Sequence, residues 1–373
     1  MRLGFVDVTA TVSYGGVQTA VWQLAAALAE RGHDVTVYGG DGALRPLGSG
    51  ARVTVRTYPF VPRERVPDLG TRFTRIVERW TFARHAKADV ARAEHDWLIV
   101  TKPFDFVWPR LMPRTTPTRV CFMSGGTDFF AGDRRLAARI DAMVACSHFN
   151  AWQIASRYKR HPAVIYNGVD TARFSPAARS DAMRHSLAAD PNVVLAAFAG
   201  RLVGWKGLAV AIDALAHPAL AASPLRLALV GDGPERAKLE ARARTRGVHE
   251  RVVFRPAVPH ADVPAIYASA DIALFPSIGD EAFGIAIAEA MSCGAAVLAS
   301  HVGGIPEVVG NEGSAGRLVA AGRVDEWAAA IGALVADPAA RRALGRAARD
   351  RIEANFTWAH AASRLLRALA GAI

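Results

Sequence analysis

The 373 residues exceed what one hydrophobic core usually supports; with 51% hydrophobic and 21% charged residues, two folded domains are expected and global disorder is excluded. A formal net charge of +11 and a pI near 10.2 call for a polyanionic partner, and membrane surface, nucleotide and nucleic acid all meet that description. No run reaches the ~18 uninterrupted apolar residues of a membrane-spanning helix, and neither a CxxC pair nor an HExxH motif nominates a protein-bound metal.

The opening Met1-Arg2-Leu3-Gly4-Phe5-Val6 reads as a strand over residues 3–8 rather than a signal peptide, since no apolar run leads to a small-residue cleavage site. An amphipathic helix over 17–30 stops at Arg31-Gly32-His33, where Gly32 suits a left-handed cap. Further strands are predicted at 35–38, 53–56, 98–101, 119–122, 143–146 and 164–166. Between them, the segment from Thr71 to Lys87 has helical spacing. Arg72, Arg75 and Arg79 share one side, and Phe73, Ile76, Val77 and Trp80 form a neighbouring apolar stripe. Asn167-Gly168-Val169-Asp170 ends this series, and the polar, helix-breaking residues through Ser180 mark a domain boundary. A second series of strands follows at 194–199, 227–230, 252–255, 272–275 and 296–299, and a last helix runs over 357–373. Strand-like runs alternating with helical ones imply α/β domains with parallel sheets covered on both faces. Cys121, Cys146 and Cys293 are odd in number and lie in or beside apolar runs, so they read as buried reduced thiols, which favours the cytoplasm.

In a doubly wound sheet, ligands bind beyond the carboxyl ends of the strands, so the strand-to-helix turns carry the candidates. Ser13-Tyr14-Gly15-Gly16 is the first, a turn that admits backbone close to a ligand and opens a helix N-terminus; tight turn and ligand cradle both remain open readings. In Gly200-Arg201-Leu202-Val203-Gly204-Trp205-Lys206-Gly207, a guanidinium fork and an ammonium can converge on one anion; solvated surface cations are the alternative. Gly231-Asp232-Gly233-Pro234 follows another strand. Then Glu281-Ala282-Phe283-Gly284-Ile285 leads into a helix that carries Glu289 among Ile287, Ala288, Ala290 and Met291. Amides at that helix start suit phosphates, carboxylates suit sugar and ribose hydroxyls, and a buried Glu289 without a partner is costly.

Taken in order, these turns resemble the family-4 group of retaining glycosyltransferases, and the similarity is densest from Asn167 to Val309. Its most specific element is the acid–seven residues–acid pattern from Glu281 to Glu289, combined with Arg201 and Lys206. The resemblance implies the GT-B fold, two Rossmann-like doubly wound domains facing a central cleft. Residues 1–175 would form the acceptor domain, 176–355 the nucleotide-sugar domain, and 356–373 a helix around Trp358 packing back on the first domain.

It also implies roles. Arg201 and Lys206 would hold the diphosphate, Glu281 the transferred sugar with backbone around Phe283, Gly284 and Ile285, and Glu289 the ribose. Gly15 and Gly16 would line the cleft from the first domain; the turn at Gly231 reads both as purely structural and as lining the nucleotide site. Where the family often has His-Gly-Thr-Asp, this chain has Ser124-Gly125-Gly126-Thr127-Asp128, with Gly125 at the histidine. Asp128, Ser124 or a backbone carbonyl would then substitute, or the donor sits differently; Asp128 also reads as a helix cap before Phe129.

The expectation is therefore a cytoplasmic, metal-independent retaining hexosyltransferase that needs no cofactor beyond its UDP- or GDP-sugar. Its acceptor would be a glycan or a lipid-linked glycan of the cell envelope, such as lipopolysaccharide. The basic amphipathic segment 71–80 would visit an anionic inner membrane surface, and nucleic acid is not a partner. A non-catalytic sugar-nucleotide-binding subunit is the alternative that Gly125 raises. A nicotinamide dehydrogenase is disfavoured, because neither first turn shows GxGxxG followed by a ribose-binding acid.

Overall fold

The computed structural model describes residues 1–45, 52–113 and 115–372, so Ile373 at the end of the expected last helix lies outside the described residues. The chain divides into two compact units, Met1–Gly168 with Trp358–Ile373, and Val169–Thr357.

The first unit holds a sheet of strands β1 (Arg2–Val6), β2 (Asp34–Gly40), β3 (Thr54–Tyr58), β4 (Trp97–Val100), β5 (Arg119–Ser124), β6 (Ala142–Ala145) and β7 (Ala163–Val164) in the order β3-β2-β1-β4-β5-β6-β7. All of its pairings are parallel. Parallel strands covered on both faces need continuous apolar runs, and Trp97, Leu98, Ile99 and Val100 are all fully buried. The strand order reverses between β1 and β4.

One face of this sheet is covered by the helix Gly16–Glu30, which buries Val21, Leu24, Ala25 and Leu28. The helix closes as expected at Gly32 (φ 82): the Gly32 amide donates to Ala29 and the His33 amide to Leu28, the paired bonds of a Schellman ending. The helix Trp358–Ala370 joins the same cluster through Trp358, Ala361, Ala362, Leu365 and Leu369. Arg31 adds a 2.8 Å hydrogen bond to the Ala359 carbonyl.

The helix Thr71–Arg92 covers the other face with Phe82, Ala83, Ala86 and Val90, but its polarity runs against the sequence expectation. Arg79 is not on a solvent-facing basic side. It is buried, ion-paired to Asp105 and 3.8 Å from Asp7. Phe73, Ile76 and Trp80 point outward, at 41%, 46% and 59% exposure, flanked by exposed Arg72, Arg84 and Lys87. The inner partner of this helix includes carboxylates, so an arginine goes inside and the aromatics are left in solvent.

The second unit holds β8 (Val194–Ala199), β9 (Leu225–Val230), β10 (Val252–Arg255), β11 (Ile272–Phe275), β12 (Ala296–Ser300) and β13 (Arg317–Val319) in the order β10-β9-β8-β11-β12-β13, again all parallel. Here the reversal lies between β8 and β11. The three-residue β13 is absent from the sequence expectation. The three cysteines are buried and in no disulfide, as expected.

Candidate functional site

The loops leaving β8 and β11 meet at the point where the strand order of the second unit reverses, which is where doubly wound sheets bind ligands. They are tied by backbone: the Ile278 and Gly279 amides both donate to the Trp205 carbonyl, at 2.9 and 3.2 Å. Gly207 permits the approach. Its φ is 65°, and a Cβ there would lie 1.9 Å from the Pro276 carbonyl oxygen, so any side chain would push the two loops apart. Gly231, after β9, is pressed against the β8 loop in the same way, 1.9 Å from the Gly200 carbonyl oxygen to a Cβ built on it. The loop after β12 contributes the Gly304 amide, which donates to the Glu281 carbonyl at 2.7 Å.

This scaffold brings Lys206 and Glu281 into a direct ion pair, with side chains only 16% and 13% exposed. The Lys206 ammonium also lies 4.3 Å from the ring centroid of Trp205, itself 43% exposed. Arg201 sits on the same loop, open to solvent. Gly284 (φ 93) caps the helix Ile285–Ser292, and the Gly284, Ile285 and Ala286 amides donate to no protein acceptor among the described residues, the ordinary state of a helix's first turn. Phe283 is buried, 5.9 Å from the Phe356 ring, so only its backbone is placed to line a ligand. The Lys206 ammonium and the helix-start amides thus lie at one loop junction, with Arg201 on the same loop, and cations and helix-start amides are groups that suit an anion.

Glu289 lies one helical stretch further in and is 6% exposed. Its Oε1 is 2.8 Å from Nε2 of His260, a residue in the loop after β10 that sequence reasoning did not single out. On its other side, Nδ1 of His260 lies 2.7 Å from an Arg173 Nη2 that also donates to the His260 carbonyl at 2.7 Å. Nothing near His260 in the sequence forms a motif, so this partner was legible only as the requirement that a buried carboxylate find a donor. The Glu289 charge also helps burial push the Tyr267 hydroxyl and the Cys293 thiol above their usual ranges.

In the first unit the strand ends at β1, β4 and β5 carry a second polar group. Asp7, fully buried, accepts from the Thr9 amide and hydroxyl at 2.9 and 2.7 Å and from the Thr101 hydroxyl at 2.8 Å. Burial pushes Asp105 up to about 6, although the adjacent Arg79 guanidinium opposes it. Sequence reasoning missed Asp7, Thr101, Lys102 and Asp105; a strand-ending Asp7 and the Thr101-Lys102 pair were the available signals.

Asp128 accepts from Arg75 Nη1 at 2.7 Å and from Lys102 Nζ at 2.6 Å, one on each oxygen. Burial alone would raise its carboxyl, but the two cations hold it below its ordinary 3.8. It is not a helix cap: residues 127–130 are irregular, and the next helix is Asp133–Ala137, so the cap expectation fails because the loop continues past Phe129. Gly125 lies beside Val17, whose Cγ2 would be 2.9 Å from a Cβ at that position. Gly15 is extended (φ 177) and exposed ahead of the first helix, which begins at Gly16.

Residues 180–351 match the family model described as Glycosyl transferases group 1, and residues 14–173 match that described as Glycosyltransferase Family 4. The D-inositol 3-phosphate glycosyltransferase of Segniliparus rotundus is 34% identical over 249 residues, 65% of this chain and 55% of the relative. The GDP-mannose-dependent alpha-(1-6)-phosphatidylinositol monomannoside mannosyltransferase of Mycolicibacterium smegmatis is 34% identical over 249 residues, 64% of each chain. The match spans about half the length of the first of these relatives and less than two thirds of the second. Among solved structures, HepE of Anabaena in complex with UDP and glucose superposes with a TM-score of 0.78 at 22% identity over 99% of both chains. Two all-parallel, doubly wound units with such a structural likeness make a GT-B fold. With the two family models together matching residues 14–173 and 180–351, the chain belongs to the family-4, group-1 glycosyltransferases.

Proposed function

We propose that this chain is a retaining hexosyltransferase that moves a sugar from a UDP- or GDP-sugar to a glycan or lipid-linked acceptor of the cell envelope. The second unit would take the donor and the first the acceptor. The observation that carries the reading is the Lys206–Glu281 pair at the strand-order reversal, with Arg201 on the same loop. Lys206 and Arg201 are suited to a departing diphosphate, and Glu281 to hydroxyls of the transferred sugar. In front-face transfer, the bond from the anomeric carbon to the diphosphate breaks through an oxocarbenium-like state. The acceptor oxygen forms the new bond on the same face and passes its proton to the leaving diphosphate. Preorganised cations would stabilise the charge that develops there, so no divalent metal is required by this scheme.

The two relatives are named for D-inositol 3-phosphate and for GDP-mannose with a phosphatidylinositol mannoside, which supports a phosphorylated or lipid-linked acceptor. A peripheral position on the inner face of the membrane is supported by the outward Phe73, Ile76 and Trp80 with Arg72, Arg84 and Lys87 beside them. No described helix is long and apolar enough to cross a membrane.

Purified chain incubated with UDP- and GDP-hexoses, with and without EDTA, tests the proposal. Release of nucleotide diphosphate above background is expected in both conditions, and Lys206→Ala should lower turnover about a hundredfold, the scale of losing one preorganised donor. A strict metal requirement, or an unimpaired Lys206→Ala variant, refutes the mechanism.

A further inference from the structure

Glu289 is buried on a helix whose neighbouring residues Ala288, Ala290 and Met291 are all buried and apolar. Its hydrogen-bond partner is the His260 imidazole, and the chemistry of the groups around that ring fixes its tautomer. An arginine Nη carries only donors. At 2.7 Å from Arg173 Nη2, His260 Nδ1 must therefore offer its lone pair, which puts the ring proton on Nε2, facing Glu289. The same Nη2 holds the His260 carbonyl, so one arginine sets both the backbone position and the tautomer of the histidine.

Arg173 is itself anchored. Its amide donates to Asp170 Oδ1 at 3.1 Å, and its guanidinium carbon lies 4.9 Å from the ring centroid of Phe174. The Phe174 carbonyl accepts from Ser292 Oγ at 2.6 Å, on the helix that carries Glu289. Arg349 donates to the carbonyls of both Phe174 and Ser292. The segment that follows Asn167-Gly168-Val169-Asp170 is thus fastened to the Glu289 helix and to the loop after β10 at once. Arg173 Nε is buried with no hydrogen-bond partner among the described residues, so the guanidinium is held there despite an unsatisfied donor.

We infer that Arg173 and His260 are positioning residues: they hold the Glu289 side chain with Oε1 occupied and Oε2 turned to the cis-diol of the donor's ribose. A carboxylate offers two oxygens. With His260 on one of them, the other is left to accept from vicinal hydroxyls, and the rotamer that does so is fixed before the nucleotide arrives. The inference rests on the proposed donor site, and its test separates the two.

The assay is calorimetric titration of the full chain with UDP and GDP, and with the 2′,3′-dideoxy form of whichever one binds. His260→Ala should weaken binding of the ribonucleotide about tenfold, the scale of one hydrogen bond to a charged group. It should leave the dideoxy nucleotide within about twofold of wild type. His260→Gln, whose amide can donate to Glu289 and accept from Arg173, should restore ribonucleotide binding to within about threefold. Arg173→Met should repeat the ribose-dependent loss. An equal loss on both nucleotides, or no rescue by glutamine in a folded variant, overturns the positioning role while the donor site stands. If wild-type chain binds neither nucleotide, or does not distinguish ribose from dideoxyribose, the donor-site reading fails and this inference falls with it.

Discussion

Glu281→Gln should have opposite effects on binding and on transfer. The Lys206 ammonium is engaged by Glu281, and both side chains retain less than a fifth of their exposure. A diphosphate that recruits Lys206 must compete with that carboxylate. A hydrogen bond to a charged group in such a setting contributes about 1.5–3 kcal/mol. Glutamine keeps an acceptor oxygen but loses the charge, so about 1 kcal/mol of that competition should disappear, tightening UDP or GDP about fivefold. Transfer from the intact nucleotide sugar should nevertheless fall about a hundredfold, because the group that would hold the sugar hydroxyls is weakened. Calorimetry with the free nucleotide and a diphosphate-release assay read the two quantities separately. Unchanged or weaker nucleotide binding in Glu281→Gln would show that Lys206 does not exchange its carboxylate for phosphate, and would sink the reasoning.

Other expectations concern the first unit. Asp128→Asn should cost about 1 kcal/mol at pH 7 by denaturant titration, since both carboxylate oxygens are taken by cations. Because the folded-state carboxyl is depressed below 3.8, that contribution is present above the unfolded value and lost as pH falls through the folded one, so wild type and variant should converge in acid below about pH 4. Trp358→Ala should destabilise by about 3–5 kcal/mol in urea, as it empties a 7%-exposed site between two helices; a loss under 1 kcal/mol would mean the C-terminal helix is dispensable. Replacing Ile76 and Trp80 by serine should abolish flotation with anionic vesicles while leaving thermal stability within about 0.5 kcal/mol, because both residues already face solvent.

Much of the architecture was written in local pattern. Buried parallel strands demand continuous apolar runs, and 194–199, 252–255 and 272–275 were recognisable at their observed limits. β13 was not, since its three residues begin with an exposed arginine and pair only at the sheet edge. Glycine-rich strand ends announced where the second unit's loops converge. That Lys206 would rest on Glu281 was not legible, because the two lie in different loops and suit different parts of one ligand. The Thr71–Arg92 helix misled for a physical reason: periodicity defines faces, but which face turns inward depends on what waits there, and Asp7 and Asp105 draw in Arg79. His260 stands outside every motif and matters only through the carboxylate it touches.

The first unit is built from both ends of the numbered sequence, with Trp358–Ala370 completing the cover over Gly16–Glu30. On the ribosome, every residue of the second unit therefore emerges before the first has its full set of partners. Val21, Leu24 and Leu28 must stay partly uncovered through that interval. A nascent chain halted before residue 358 would present this greasy helix face to chaperones, although its second unit were already folded.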